Sequence, residues 1–414
     1  MAYKKDYEGI KDHVEYLKDR YGFKGPLHFT DFTNLESIFN SGFLAGREYC
    51  ETNKINFLDA ADREVIERTS LNVLKCTRFY YKEKTPTLYR NEGIKVSNSR
   101  PHVPIPVYLL FDEELLYLDN TVFTDCNAGS TYCNFGKSGD FFENMGWDVI
   151  FHRGPMYEGD DRMYITRKRN AELLSLNPVP INYLRKIIFR CEADRKRAVN
   201  LFGDSELYKV DKTIFNNHNN YIDDYSIELK EDSIKIILRF NRLIANYNLK
   251  VDILNDKNKV INYDIREKEL VSKDIFNREI EDFKMASSVE IEYKEKLEQF
   301  YSLKVYLNDN LCIEDYFGKY IIEYFNIKHE NGNMVINTSF INEKITLSKH
   351  SYEILDNNNK VISSNNIKFN PEQRGTHWTI TFEKFNSSCK KIRYYINNIL
   401  CIDKTIKIED NLPF

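Results

Sequence analysis

Apolar side chains recur along this chain with two periods, and the change from one to the other divides it. Tyr3, Tyr7, Ile10, Val14, Leu17 and Tyr21 fall three and four residues apart, the stripe of an amphipathic helix. GPLHFTDFTNLESIFNSGFL follows. It predicts a strand over Leu27–Thr30, a turn, and a helix capped by the Thr33 hydroxyl with Glu36 reaching back, ending at Ser41-Gly42. Such a strand carries His28 and Thr30 to a helix N-terminus, where unpaired N–H groups and the helix dipole favour an anionic ligand. An ordinary capped helix after a strand has the same pattern.

Further on, AADREVIERTS predicts a helix carrying Arg63 and Arg68, and RFYYKEKTPTLYR an aromatic strand with a turn at Thr85-Pro86. VPIPVYLLF (103–111) reads as a buried strand, and VFTDCNAGS (122–130) as a strand closing in a glycine turn. WDVIFHR (147–153) and the IIF of PINYLRKIIFRCE add two more strands before a basic helix, ADRKRAVNLFG. Many short strands with few long helices imply an α+β domain. The polar, Asn-rich FNNHNNYIDDY (215–225) is expected to be a linker.

Beyond it the period becomes two, with Asn/Asp turns between strands, and an internal repeat emerges. ILNDKNKVI (253–261) recurs as ILDNNNKVI (354–362), 101 residues on; LCIED (311–315) recurs as LCIDK (400–404), 89 residues on. YSIELKEDSIKIILRF (225–240) is echoed by FNIKHENGNMVINTSF (325–340). Two units of this size fit tandem immunoglobulin-like β-sandwiches. The expected organisation is thus an α+β domain over 1–215, then all-β repeats over 225–320 and 321–414. His329, His350 and His377 stand apart from one another in the repeats, as surface or core histidines do.

Composition agrees with a folded chain of several domains: 42% hydrophobic and 29% charged over 414 residues. No run approaches the roughly 18 apolar residues that span a bilayer, and the N-terminus lacks an apolar signal segment, so no membrane association and a cytoplasmic location are expected. Eight cysteines without a CxxC pair point to free thiols and no metal, although Cys126 and Cys133 are near enough in sequence to share a site. A net charge of −4 argues against a chain that coats nucleic acid along its length. Arg162 to Arg197 is locally basic, however, with ten Lys/Arg against three acids, and could meet a phosphate-bearing partner. Within it Glu172 follows Arg167, Lys168 and Arg169. Cations beside a carboxylate favour its charged form, so Glu172 is a candidate acceptor or base; an exposed charged turn is the plainer alternative.

Several of these segments occur in a familiar order. His28-Phe29-Thr30, Asn34-Leu35, Ile38 and Gly42-Phe43 resemble the HIT…NL..I…GL opening of the DarT-type ADP-ribosyltransferases. RFYYKEKTPTLY (78–89), VFTDCNA (122–128), GWDVI (146–150) and RKRNAELL (167–174) resemble that family's VPFYF…SPMLY, FTD…A, DW..I and R.QAE.L segments. The likeness spans about residues 20–205 and leaves out the repeats. It implies an ADP-ribosyltransferase fold with a split central sheet, and an enzyme that cleaves NAD+ and transfers ADP-ribose to a nucleobase. The expected acceptor is thymidine in single-stranded DNA, with RNA or another base as the alternative. It also implies a toxin or phage-defence role beside a macrodomain antitoxin.

Carried onto this chain, the family pattern gives Glu172 as the catalytic glutamate. His28, Phe29, Thr30, Asn34 and Ser37 would hold NAD+. The family's arginine from the segment before the FYF strand falls on Arg68, or on Arg63. Tyr80, Tyr81 and Trp147 are candidates to stack on nicotinamide or on a flipped base. The chain departs from the family at Asp31, where a second His is common, at Asn170 for Gln, and in a short segment between Arg68 and Phe79. The alternatives are a binding or sensor protein with an inactive transferase domain, with the repeats meeting a phage or regulatory protein, and a transferase that modifies protein.

Overall fold

The computed structural model describes residues 2–59, 70–95, 102–229, 233–243, 247–255, 259–262, 269–281, 285–293, 301–330, 333–340, 349–356, 360–367, 377–382, 389–396 and 399–406. The chain divides into two units, Met1–Arg195 with Ser205–Tyr221, and Lys196–Asp204 with Ile222–Phe414.

In the first unit, helix α1 (Tyr7–Tyr21) buries Ile10, Val14 and Leu17, the middle of the predicted stripe, leaves Tyr3 exposed before its start, and closes on Gly22 in the left-handed region. The other elements used below are β1 (Leu27–Asp31), α2 (Asn34–Ser41), β2 (Thr77–Tyr80), β3 (Pro106–Phe111), β4 (Thr121–Thr124), β5 (Phe135–Gly136), α3 (Arg162–Lys168), β6 (Glu172–Ser175), β7 (Leu184–Phe189) and β8 (Tyr208–Val210). The eight strands form one sheet in the order β8-β7-β3-β1-β2-β6-β4-β5, and only β7 and β8 run parallel. Every residue of β3 is buried, as a continuous apolar run between two partner strands requires.

Three local expectations change. The expected cap of α2 is not made: the Thr33 side chain forms no capping bond, and Asp31 instead fixes the turn before the helix, accepting from the Thr33 N–H at 3.0 Å, the Thr33 hydroxyl at 2.8 Å and the Ile105 N–H at 2.9 Å. WDVI is a helix rather than a strand, Trp147–Ile150, entered through Gly146 at φ 77°. Its Trp147 packs on Tyr81 and Phe142 with the indole N–H donating to Phe142 O; so short an apolar run has no readable period. The Asn-rich stretch is docked, not loose. Buried Glu92 accepts from the Asn216 and Asn217 N–H groups, and the Asn219 amide donates to Glu92 O.

The second unit holds four antiparallel sheets among the described residues, of five, four, three and four strands. Those of 222–316 pair among themselves, as do those of 322–405. The repeat extends to its irregularities. The hairpin Ile222–Leu229/Ile234–Phe240 shifts register after Ile222, and Ile322–Glu330/Asn333–Phe340 does so after Ile322. Matching shifts follow Ile253 and Ile354, and Val305 and Tyr394. The offset shortens between these last two pairs because the first repeat carries the hairpin Glu269–Lys273/Glu279–Ile280 there. In the second repeat the two sheets share a core, Ile322 and Phe340 meeting Tyr394 and Ile396. His350 is a satisfied core histidine, its Nδ1 2.9 Å from the Tyr394 hydroxyl.

Candidate active site

Strands β2 and β6 pair with Tyr80 opposite Glu172 and Arg78 opposite Leu174. Opposed residues share a face, so Arg78 and Glu172 are diagonal neighbours on one side of the sheet. The guanidinium grips the carboxylate, Nη2 at 2.7 and 2.9 Å from its two oxygens and Nε at 3.1 Å. The Ala128 N–H, from the loop after β4, donates to Oε2 at 2.9 Å. Glu172 is fully buried while the Arg78 side chain is 30% exposed. The strand backbone is anchored as well: the Glu172 N–H donates to Thr124 Oγ1, and the Tyr81 hydroxyl to Glu172 O.

The basic run does not supply this cation. Arg167 lies over the Tyr132 ring, Lys168 pairs with Asp125 at 2.8 Å and Arg169 reaches Lys84 O. Helix α3 ends before β6 begins, which carries these side chains away from the carboxylate. Nor is 162–197 one basic surface, since Arg190 is buried against Asp194 and Tyr221, and Arg197 donates to Leu311 O. Arg63 and Arg68 lie outside the described residues. Arg78 was legible only as a charge inside an otherwise apolar strand, TRFY.

Beside the pair opens a cavity of about 760 Å³, lined by Arg78 and Tyr80 and by all five residues expected to hold a dinucleotide, His28, Phe29, Thr30, Asn34 and Ser37. His28 Nδ1 lies 2.9 Å from Arg78 O, so β1 and the Glu172 pair meet at one wall. Desolvation pushes the His28 imidazole down to about 4, and it is neutral near pH 7. The Asn34 amide donates to Thr30 Oγ1 and accepts the Leu58 N–H, pinning 56–58 over α2, where Ser37 donates to Asn56 O. Asn170 keeps the role of an amide, accepting the Thr87 N–H and hydroxyl.

Of the three aromatic candidates only Tyr80 lines the cavity, stacked on Phe29 at 5.3 Å and 11°. Burial and the Glu172 carboxylate push its phenol up, so it remains an O–H donor. Tyr81 and Trp147 are core residues, 2% and 4% exposed.

A buried carboxylate clasped by an arginine that itself lines the cavity, on one mixed sheet, is an arrangement suited to stabilising positive charge on a bound substrate once the carboxylate is released toward it. Residues 27–222 match the family described as DarT, ssDNA thymidine ADP-ribosyltransferase. This part of the chain is a DarT domain, an NAD-dependent ADP-ribosyltransferase domain. Similar solved structures include Thermus sp. 2.9 DarT in complex with ADP-ribosylated ssDNA, at 15% identity over 46% of this chain and 95% of that one, TM-score 0.39. The same protein in complex with NAD+ gives 15% identity over 46% and 96%, TM-score 0.37. Thermosipho africanus DarTG in complex with ADP-ribose gives 16% identity over 51% and 54%, TM-score 0.39. No curated protein matches the chain.

Proposed function

We propose that this protein transfers ADP-ribose from NAD+ to a nucleobase, thymidine in single-stranded DNA, with Glu172 as the catalytic carboxylate and Arg78 as its arginine. The observation that carries the reading is the Arg78–Glu172 clasp, in which Arg78 lines the cavity beside β1 and α2 and Glu172 lies buried directly behind it. Cleavage of the nicotinamide bond makes the ribose oxocarbenium-like while nicotinamide leaves neutral, and a carboxylate fixed beside the anomeric carbon stabilises that charge. Glu172 then takes the proton from the ring N–H of the attacking base. Arg78 faces the cavity and has a forked, permanently charged head, so it can turn to a diphosphate oxygen and release the carboxylate toward the ribose. His28, Phe29 and Thr30 hold the nicotinamide-ribose half, where a neutral His28 does not repel the cationic ring, and Asn34 and Ser37 lie near the dinucleotide. Tyr80 is the stacking platform.

The resemblance to the family supports a toxin or phage-defence role, countered by a macrodomain antitoxin that removes the modification, in the cytoplasm. Among the described residues no helix is long and apolar enough to cross a membrane. We read the repeats 225–320 and 321–414 as a sensing or gating module that meets a phage or regulatory protein. The test is incubation with labelled NAD+ and a panel of single-stranded DNA and RNA oligonucleotides. Label on thymidine-containing DNA that is lost in Glu172→Gln is the expected result. Label on RNA alone, on protein alone, or unchanged in the variant refutes the assignment.

A further inference from the structure

The loop that presents Ala128 to Glu172 is rooted in a cysteine pair that the reaction does not use. β4 and β5 pair with Phe123 opposite Gly136 and Thr124 opposite Phe135. The ladder runs on past the strands, the Asp125 N–H donating to Asn134 O. The next opposed residues are Cys126 and Cys133, whose sulfurs lie within 4.8 Å of each other. Sulfurs this close on facing residues are within reach of a disulfide by side-chain rotation.

We propose that Cys126 and Cys133 are a redox-responsive pair, closing under peroxide into a disulfide that clasps the root of the loop supporting Glu172. Cys126 is 3% exposed and Cys133 half-buried, a setting open to a small oxidant. The interaction of the two neighbouring thiols holds Cys126 below the ordinary thiol range and pushes Cys133 up, which makes Cys126 the nucleophile. Its thiolate attacks one oxygen of hydrogen peroxide; the O–O bond breaks, hydroxide leaves and a sulfenic acid forms. The Cys133 sulfur attacks that sulfur, the S–O bond breaks, and the departing hydroxide takes the Cys133 proton as water. Two thiols and one peroxide give one disulfide and two waters.

A metal is the poorer fit for this cluster. The Asp125 carboxylate that would complete a ligand set already accepts from the Asn134 N–H, the Asn134 amide and Lys168. Closing the six-residue loop 127–132 removes opening motions of the segment that carries Asn127 into the cavity and the Ala128 N–H onto Glu172.

The test uses the full-length protein with peroxide, then thiol reductant, read by peptide mapping without reduction and by hydrogen exchange at the Ala128 amide. Neither readout depends on transferase activity, so failure here is separable from failure of the proposed function. The expected result is a peptide pair joined through Cys126 and Cys133 and reversed by reductant, with exchange at Ala128 slowed about tenfold or more. The variants Cys126→Ser with Cys133→Ser, and Cys133→Ser alone, should lose both responses. Circular dichroism shows whether they remain folded. A disulfide elsewhere, irreversible sulfinic acids at both sites, protection of both thiols by added zinc, or a correct disulfide that leaves Ala128 exchange unchanged each overturns it.

Discussion

Replacing Arg78 with methionine keeps most of the apolar stem and removes the guanidinium. Glu172 then loses three of its four contacts, at 2.7, 2.9 and 3.1 Å, and keeps only the Ala128 N–H. Breaking a fully buried ion pair from one side costs about 3–5 kcal/mol. Because the Arg78 side chain is 30% exposed, water can enter the vacated space, and we expect about 2–3 kcal/mol. Adding Glu172→Gln removes the stranded charge and should recover about 2 kcal/mol in a double-mutant cycle. Guanidinium unfolding followed through Trp147 fluorescence in a Trp378→Phe background reads the first unit alone, since the chain has two tryptophans. A deficit under about 0.5 kcal/mol, or no coupling with Glu172→Gln, would refute the reasoning.

Glu172→Gln by itself should lower ADP-ribosyl transfer by a factor of about 100 or more while unfolding shifts by about 1 kcal/mol, measured by labelling and by denaturant titration. For His28 the folded value of about 4 lies below the unfolded value, so only the unfolded state gains a proton between those limits. Stability should fall as pH drops from about 6.5 to 4, by up to about 3 kcal/mol, and His28→Gln should flatten that slope. In the second unit, fully buried Asp315 accepts from Tyr225 at 2.6 Å, Tyr320 at 2.8 Å and Lys319 at 2.8 Å. Asp315→Ala should cost about 3 kcal/mol of that unit's stability, followed through Trp378 in a Trp147→Phe background. Truncation after residue 221 should leave NAD+ cleavage in place and change toxicity or acceptor choice, with full-length protein as the control. Equal behaviour in every assay would count against a gating role for the repeats.

Periodicity fixed much of this protein without any tertiary information. The α1 stripe, the buried run at β3, the Gly42 stop and the two repeats are local patterns, and each survives in the structure because burial selects the same period that the sequence displays. The ordered likeness to the DarT family likewise marked β1, α2 and Glu172. What the sequence could not decide is which groups meet across strands. Glu172 looked as though it answered to the adjacent basic run, yet its cation is Arg78, 94 residues away, because the register of β2 on β6 sets the pairing while the neighbouring charges find partners of their own in Tyr132, Asp125 and Lys84 O. Trp147 and Tyr81 read as stacking platforms but close an aromatic core, and an apparent linker is tied down by one glutamate. In each case the deciding fact is a contact between residues distant in the chain. Spacing along a sequence reports the face on which a side chain lies, but not the partner it finds there.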